Sequence, residues 1–366
     1  MNDDLLFQIA LTLVPNIGDV HAKTLVNIYG DAESIFKAKK KELEKIDGIG
    51  TVRAKNIKSF TDFTSAEQEI TFIEKYKIST LFINSDAYPK KLLNVYDSPP
   101  LLFFRGTADL NTAKIVAIVG TRNNSDYGKN CCEKLIEGLK EQQVLIVSGL
   151  AFGIDTIAHR ASLKNSLDTV GVLAHGLDMI YPTQNKTLAR QMTEHGGLLT
   201  DFRSMTNPDK QNFPKRNRIV AGICDALVVV ESGNKGGSLI TAELANNYNK
   251  DVFAIPGRVN DGKSEGCNML IKNNKAALIT GADDLLENMG WDNVTKPKAA
   301  AQRQLFIELS AGEKKIVDVL QGKEQVHVDE LYFSTQMSSS AVAAALLMLE
   351  MKAAIASLPG KLYKLL

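Results

Sequence analysis

Four cations crowd around one aromatic ring between Lys210 and Arg218. They are Lys210, Lys215, Arg216 and Arg218, and the run reads Phe213-Pro214-Lys215-Arg216-Asn217-Arg218-Ile219-Val220-Ala221-Gly222. No Asp or Glu occurs between Lys210 and Asp225. Pro214 suits the first turn of a helix, whose positive end adds to the side-chain charge. Arginine offers a planar fork that matches phosphate oxygens. Phe213 sets an aromatic face beside those cations, the composition of a surface that holds phosphates and stacks a base. A solvated helix start with a buried Phe is the competing reading, because charge runs are usually exposed faces.

A second set of chemistry-bearing residues lies in glycine loops: Gly120-Thr121-Arg122, Ser148-Gly149-Leu150-Ala151-Phe152-Gly153-Ile154-Asp155, His175-Gly176, Glu231 to Ser238, and Pro256-Gly257. Glycine lets backbone approach a ligand closely, and Ser, Thr or a cation accompanies several of the turns. Gly257-Arg-Val-Asn-Asp-Gly262-Lys263-Ser264 also fits the P-loop pattern G-x-x-x-x-G-K-[ST]. Its context argues against it: Gly266 stands where a phosphate-cradling helix should be under way, and no strand ending in a magnesium-binding Asp follows. The first loop lacks the G-x-G-x-x-G fingerprint, which disfavours a dinucleotide enzyme.

The elements that must carry these loops read as alternating strands and helices. Apolar, β-branched runs recur at Ile115–Val119, Val144–Val147, Val170–Leu173, Ala226–Val230 and Val252–Ile255, with amphipathic stretches between. This predicts an α/β fold, an extended Rossmann-like and mostly parallel sheet over residues 76–292. Ligands of such sheets sit beyond the carboxyl ends of the strands, where the glycine loops fall.

Two smaller parts flank it. Residues 1–75 read as helical, with a weak repeat: Pro15-Asn16-Ile17-Gly18 and Asp47-Gly48-Ile49-Gly50 each open an apolar-periodic helix, as in a helix-hairpin-helix (SAM-like) domain. Lys37, Lys39, Lys40, Lys41, Lys45, Arg53, Lys55 and Lys58 surround the second copy. Such hairpins either meet phosphate or simply pack. After an Ala/Lys/Pro/Gln linker at 294–303, residues 305–366 predict helices at Lys314–Leu320, Val328–Ser334 and Ser339–Lys352, then a hairpin turning at Pro359-Gly360. This is a winged-helix-like outline. Its third helix has no cation before Lys352, and Ala311–Leu366 holds six Lys against six acidic residues. Packing or protein interaction is the better expectation than an electrostatic hold on duplex DNA.

Composition bounds the class. The chain has 366 residues, 44% hydrophobic and 23% charged, with formal net charge +1. No apolar run is long enough to span a bilayer and the start is not a signal peptide. Cys131, Cys132, Cys224 and Cys267 form no C-x-x-C pair or Cys/His cluster, so reduced cytosolic thiols and no metal site are expected.

Taken in order, these motifs resemble DNA-processing protein A, the DprA/Smf family. The resemblance rests on Gly120-Thr121-Arg122, Ser148 to Asp155, His175-Gly176-Leu177-Asp178, Tyr181-Pro182, Phe213 to Gly222, Gly237-Ser238-Leu239-Ile240-Thr241-Ala242 and Val252 to Gly257. It implies a cytoplasmic single-stranded DNA-binding protein of natural transformation that protects incoming DNA and loads the RecA recombinase. It also implies a homodimer with no membrane association, no cofactor and no catalytic residues. Carried over, its DNA pocket would use Arg122, Phe213, Lys215, Arg216 and Arg218, with Phe152 and Asn217 beside them and the Gly149 and Gly237-Ser238 loops as walls. Two enzyme readings compete with a binder. One is a P-loop ATPase using Gly257–Ser264. The other is a nucleotide N-glycosidase resembling the LOG proteins, whose motif Gly236-Gly237-Ser238-Leu239-Ile240-Thr241-Ala242-Glu243 matches only loosely.

Overall fold

A computed structural model describes residues 3–291, 309–323, 325–352, 354–358 and 361–366. The chain forms two compact units, Met1–Asp292 and Asn293–Leu366. The 294–303 linker and the Pro359-Gly360 turn expected from the sequence lie outside the described residues.

In the first unit the described strands build one nine-stranded sheet: β1 (Ser79–Phe82), β2 (Leu101–Gly106), β3 (Ile115–Val119), β4 (Leu145–Ser148), β5 (Thr169–Val172), β6 (Gly196–Thr200), β7 (Ala226–Val229), β8 (Asp251–Ala254) and β9 (Ala277–Leu278). Their order is β1-β2-β6-β5-β4-β3-β7-β8-β9. The pairs β1/β2 and β2/β6 are antiparallel and the rest are parallel. Strands β3, β4, β5, β7 and β8 are the five apolar runs, each displaced by no more than one residue from the sequence expectation. Their side chains alternate between two cores. Ile115, Ala117 and Val119 of β3 face one and Val116 and Ile118 face the other, so helices cover both faces.

No sequence pattern marks β6, which begins Gly196-Gly197. A side chain at Gly196, where φ is +130°, would meet the Thr169 backbone, and one at Gly197 would meet the Phe104 ring. Bare backbone lets this strand fit between β2 and β5. Here glycine marks a strand packed too closely for side chains.

Helices fill residues 3–76 apart from short connections, and they share the larger core with the sheet. Gly18 precedes the helix Asp19–Tyr29, and Gly48 and Gly50 open the helix Gly50–Ser59. The two hairpins brace each other. Arg53 donates to the Asn16 carbonyl (3.0 Å) and the Gly48 carbonyl (2.8 Å), and Asn56 Nδ2 donates to the Pro15 carbonyl (2.8 Å). Lys58 donates to the Phe36 carbonyl, and Lys37 and Lys40 pair with Glu33 and Glu44. Several cations around the second copy therefore already have protein partners.

The second unit is a winged helix. Helices Ala311–Leu320, Val328–Thr335 and Ser339–Met351 pack around Ile316, Leu331, Leu346 and Leu349. The strands β10 (Val326–His327), β11 (Ile355–Leu358) and β12 (Leu362–Leu365) form an antiparallel sheet in the order β10-β12-β11. Lys352, at the end of the third helix, pairs with Glu313 at 2.8 Å. That helix exposes Leu347, Met348 and Met351 and carries no cation of its own. Among the described residues no helix is long and apolar enough to cross a membrane.

Candidate nucleic-acid interface

Strand order reverses at β3: β4, β5 and β6 lie to one side, β7, β8 and β9 to the other. Beyond the carboxyl ends of β3, β4 and β7 a cleft of about 430 Å³ opens at this switch point. Its walls are Gly120-Thr121-Arg122, Gly149 with Ala151, and the segment from Ser232 to Thr241; its fourth side is the helix Asn212–Ile223.

The loops are stitched to one another before any ligand is considered. Buried Glu231 accepts from the Ser125 amide at 2.8 Å and the Ser125 hydroxyl at 2.5 Å. The Thr121 amide donates to the Glu231 carbonyl (2.7 Å), and the Ile154 amide to the Thr121 carbonyl (3.2 Å). Gly153 sits at φ +76°, where any side chain would also collide with the Thr121 carbonyl. Asn185 Nδ2 holds the Leu150 carbonyl at 3.0 Å.

Phe213, Arg216, Asn217 and Val220 all line the cleft. Their spacing of three, four and seven is one face of a helix. Arg216 forms the floor and is only 4% exposed. Its Nη1 donates to the carbonyls of Gly149 (2.5 Å) and Val172, and its Nε to Asn217 Oδ1 (3.2 Å). Nη2 has no acceptor among the described residues. A side chain at Gly149 would land on this guanidinium, which explains the glycine. Asp155 beside it accepts from the amides of Gly149 (3.2 Å) and Ala151 (3.3 Å). Burial pushes the Asp155 carboxyl upward, opposed by the Arg216 charge. Burial likewise pulls Arg216 down to about 10, opposed by Asp155. The pair supplies a fixed, hydrogen-bonded floor.

Above the floor, the Arg122 guanidinium lies 5.1 Å from the Phe213 ring centroid. On the other side Phe213 meets Tyr181, centroids 6.2 Å apart. Phe152 and Tyr181, both partly exposed, line an adjoining apolar slot with Leu173 and His175. The Tyr181 amide donates to His175 Nε2 at 3.2 Å, so the ring proton sits on Nδ1, which faces the Gly176 carbonyl at 2.8 Å. Burial lowers the His175 pKa and keeps that neutral tautomer. Ser238 is buried with its hydroxyl 2.9 Å from that of Ser232, at the start of the helix Gly237–Asn247. Asn217 Nδ2 reaches the Gly237 carbonyl at 3.5 Å.

Arg122, Gly149, Phe213, Arg216, Asn217, Gly237 and Ser238 thus come together, with Phe152 in the adjoining slot. Lys215 and Arg218 do not join them. Arg218 crosses to the far face of its helix, where it pairs with Asp19 (2.6 Å) and Asp201 (2.7 Å) and donates to the Asp97 carbonyl (2.6 Å). These carboxylates raise its pKa against burial. Lys215 lines a separate groove with Arg218. A step of two residues turns a helix by about 200°, so the sequence already held that signal. The cleft also recruits Thr121 and Lys235, which lay in the glycine loops without being singled out as site residues.

The enzyme readings fare poorly in the geometry. A helix does begin at Glu265 (Glu265–Lys272), contrary to the expectation from Gly266. Gly266 fits there because a side chain would strike the Gly233 carbonyl. Within the loop, however, Asp261 accepts from the Lys263 amide and the Ser264 hydroxyl, each at 3.1 Å. A carboxylate thus occupies the donors that a P-loop turns toward phosphate. Glu243, the carboxylate of the glycosidase-like motif, is 65% exposed on its side chain, pairs with Lys275 at 3.5 Å and does not line the cleft.

Comparison with known proteins agrees with this architecture. A family model described as DNA recombination-mediator protein A matches residues 79–290, a helix-hairpin-helix motif matches 7–70, and a DprA winged helix domain matches 296–361. The chain is 41% identical to DNA processing protein DprA of Streptococcus pneumoniae, over 62% of this chain and 84% of that protein. It is 31% identical to Protein Smf of Synechocystis over 99% of both. The X-ray structure of DNA processing protein A from Streptococcus pneumoniae superposes with a TM-score of 0.68 at 35% identity, covering 77% of this chain and 97% of that one. A structure of the Helicobacter pylori protein, described for its single-stranded DNA binding mode, gives 0.54 at 31% identity, covering 59% and 97%.

Proposed function

The chain belongs to the DNA recombination-mediator protein A family, and from that premise we propose that its switch-point cleft binds single-stranded DNA. The observation that carries the reading is the convergence of Arg122, Phe213 and Arg216 with two glycine loops on one cleft. Cations meet phosphate, the aromatic ring meets a base, and bare backbone allows close approach. The binding part is taken as residues 76–292, between a helical part at 1–75 and a winged-helix part at 305–366. Lys215 and Arg218 flank the cleft on the opposite helix face and support it from there.

In this reading the protein is a cytoplasmic, non-catalytic homodimer of natural transformation. It covers incoming strands and passes them to the RecA recombinase. The deciding experiment is a salt-resolved titration with single- and double-stranded oligonucleotides. A strong preference for single strands and a steep linear loss of affinity with salt are expected. Equal affinity for both forms, or none for either, would overturn the reading.

A further inference from the structure

The cleft has the dimensions to seat a single nucleotide as well as one unit of a strand. Its volume, about 430 Å³, lies in the range of pockets that enclose small ligands, roughly 300–1,000 Å³. At its base Arg216 is 4% exposed, yet Nη2 donates to nothing among the described residues. Arg216 lines the cleft, and a nearly buried guanidinium with a donor left over wants an anion. Among the described residues, Arg122 at the rim has only the Phe213 ring as a partner, and exposed Lys235 has no acceptor. The eleven-residue helix Gly237–Asn247 also points its amino end into the space.

Charge narrows the ligand. Three cations and one carboxylate, Asp155, line the cleft, a surplus of two positive charges. A bridging phosphodiester carries one negative charge, whereas a terminal phosphate monoester carries about 1.5 to 2 at neutral pH. A triphosphate would exceed the surplus. The neighbouring ring of Phe213 supplies a face for a base.

We propose that the cleft takes a free nucleoside 5′-monophosphate as a ligand in its own right, anchored by its terminal phosphate, and that such nucleotides compete with strands for it. The proposal rests on the reading of this cleft as the strand's phosphate site. It adds a small-molecule competitor to that site. Free mononucleotides, the products of strand degradation, would thereby set how much of the protein is open to a strand.

The test displaces a labelled oligo-dT from the full chain with thymidine 5′-monophosphate or thymidine, and follows the melting temperature with each. The nucleotide displaces the oligonucleotide at millimolar concentration and raises the melting temperature by a few degrees, and thymidine does neither. The double substitution Arg122→Ala/Lys235→Ala, at two exposed positions, weakens the nucleotide at least tenfold. Lys263→Ala, outside the cleft, leaves it unchanged. Oligonucleotide binding with no displacement or stabilisation by the nucleotide would overturn this inference and leave the strand reading standing. Equal effects of nucleotide and nucleoside would also overturn it, as would nucleotide binding that survives the double substitution or vanishes in Lys263→Ala. Nucleotide binding without oligonucleotide binding would instead remove the strand reading and keep the pocket.

Discussion

Arg216 and Arg218 leave one helix in opposite directions, the first into the floor of the cleft and the second into an ionic node with Asp19 and Asp201. Two neighbouring cations of the same run therefore have different work. One offers an edge to a ligand, and the other ties the first hairpin helix to the end of β6. Several expected outcomes separate them.

Arg216→Glu should lower stability as well as binding. It places a carboxylate beside Asp155 and opposite the Gly149 and Val172 carbonyls that Arg216 now satisfies. Leaving a buried hydrogen-bonding group without its partner costs about 1–3 kcal/mol. Urea titration should show the midpoint falling, and an unchanged midpoint would mean that Arg216 is not the floor.

Arg218→Gln should weaken strand binding several-fold while leaving the salt slope intact, because no phosphate contact is removed. Asp19→Asn, nearly two hundred residues away in sequence, should act the same way. A slope reduced by about one ion in Arg218→Gln would place this residue on a phosphate after all.

Phe213→Ala and Arg122→Ala should differ in kind. Loss of the ring should cost roughly 1–3 kcal/mol of strand affinity at every salt concentration. Loss of the guanidinium should reduce the salt slope by about one. Identical slopes for both variants and the unmodified protein would argue against Arg122 as a phosphate contact.

Acid should destabilise the first unit through His159. This ring is fully buried, its Nδ1 lies 2.7 Å from the Thr169 hydroxyl, and its Nε2 has no partner among the described residues. Burial lowers its pKa from 6.5 to about 3. The unfolded chain therefore binds the extra proton between those values, and the stability present above pH 6.5 is lost progressively as pH falls toward 3. Denaturation midpoints measured across that range should fall less steeply in His159→Asn than in the parent. Parallel pH profiles would remove His159 as the cause.

Removing residues 305–366 should leave most strand affinity. Among the described residues, the cores of the first unit are built from positions up to Trp291, and the third helix of the winged unit carries no cation. A large loss in the folded, truncated chain would assign strand contacts to the winged unit.

What the sequence disclosed and what it hid follow from range. The runs Ile115–Val119 and Ala226–Val230 are buried on both faces, so their composition alone marks them as parallel strands. The cleft face of the helix was legible as Phe213, Arg216, Asn217 and Val220 once the helical period was applied. Gly196-Gly197 was not, because only the proximity of Thr169 and Phe104 makes glycine a strand residue there. The Arg218–Asp19 pair joins positions separated by most of the first unit, and no local pattern announces it. Lys235 looked like one more loop cation until the fold set its loop opposite Arg122.

The contact between Arg122 and Phe213 bears on what the cleft can accept. The guanidinium shields the ring from water, and the ring's electron-rich face partly satisfies the cation. Each group thus masks the other. A ligand with a base and a phosphate can part them, offering the ring a planar partner and the cation an anion at the same moment. A lone base or a lone phosphate replaces half of the contact and strands the other half. The cleft should therefore respond to the two halves of a nucleotide together far more strongly than to either alone.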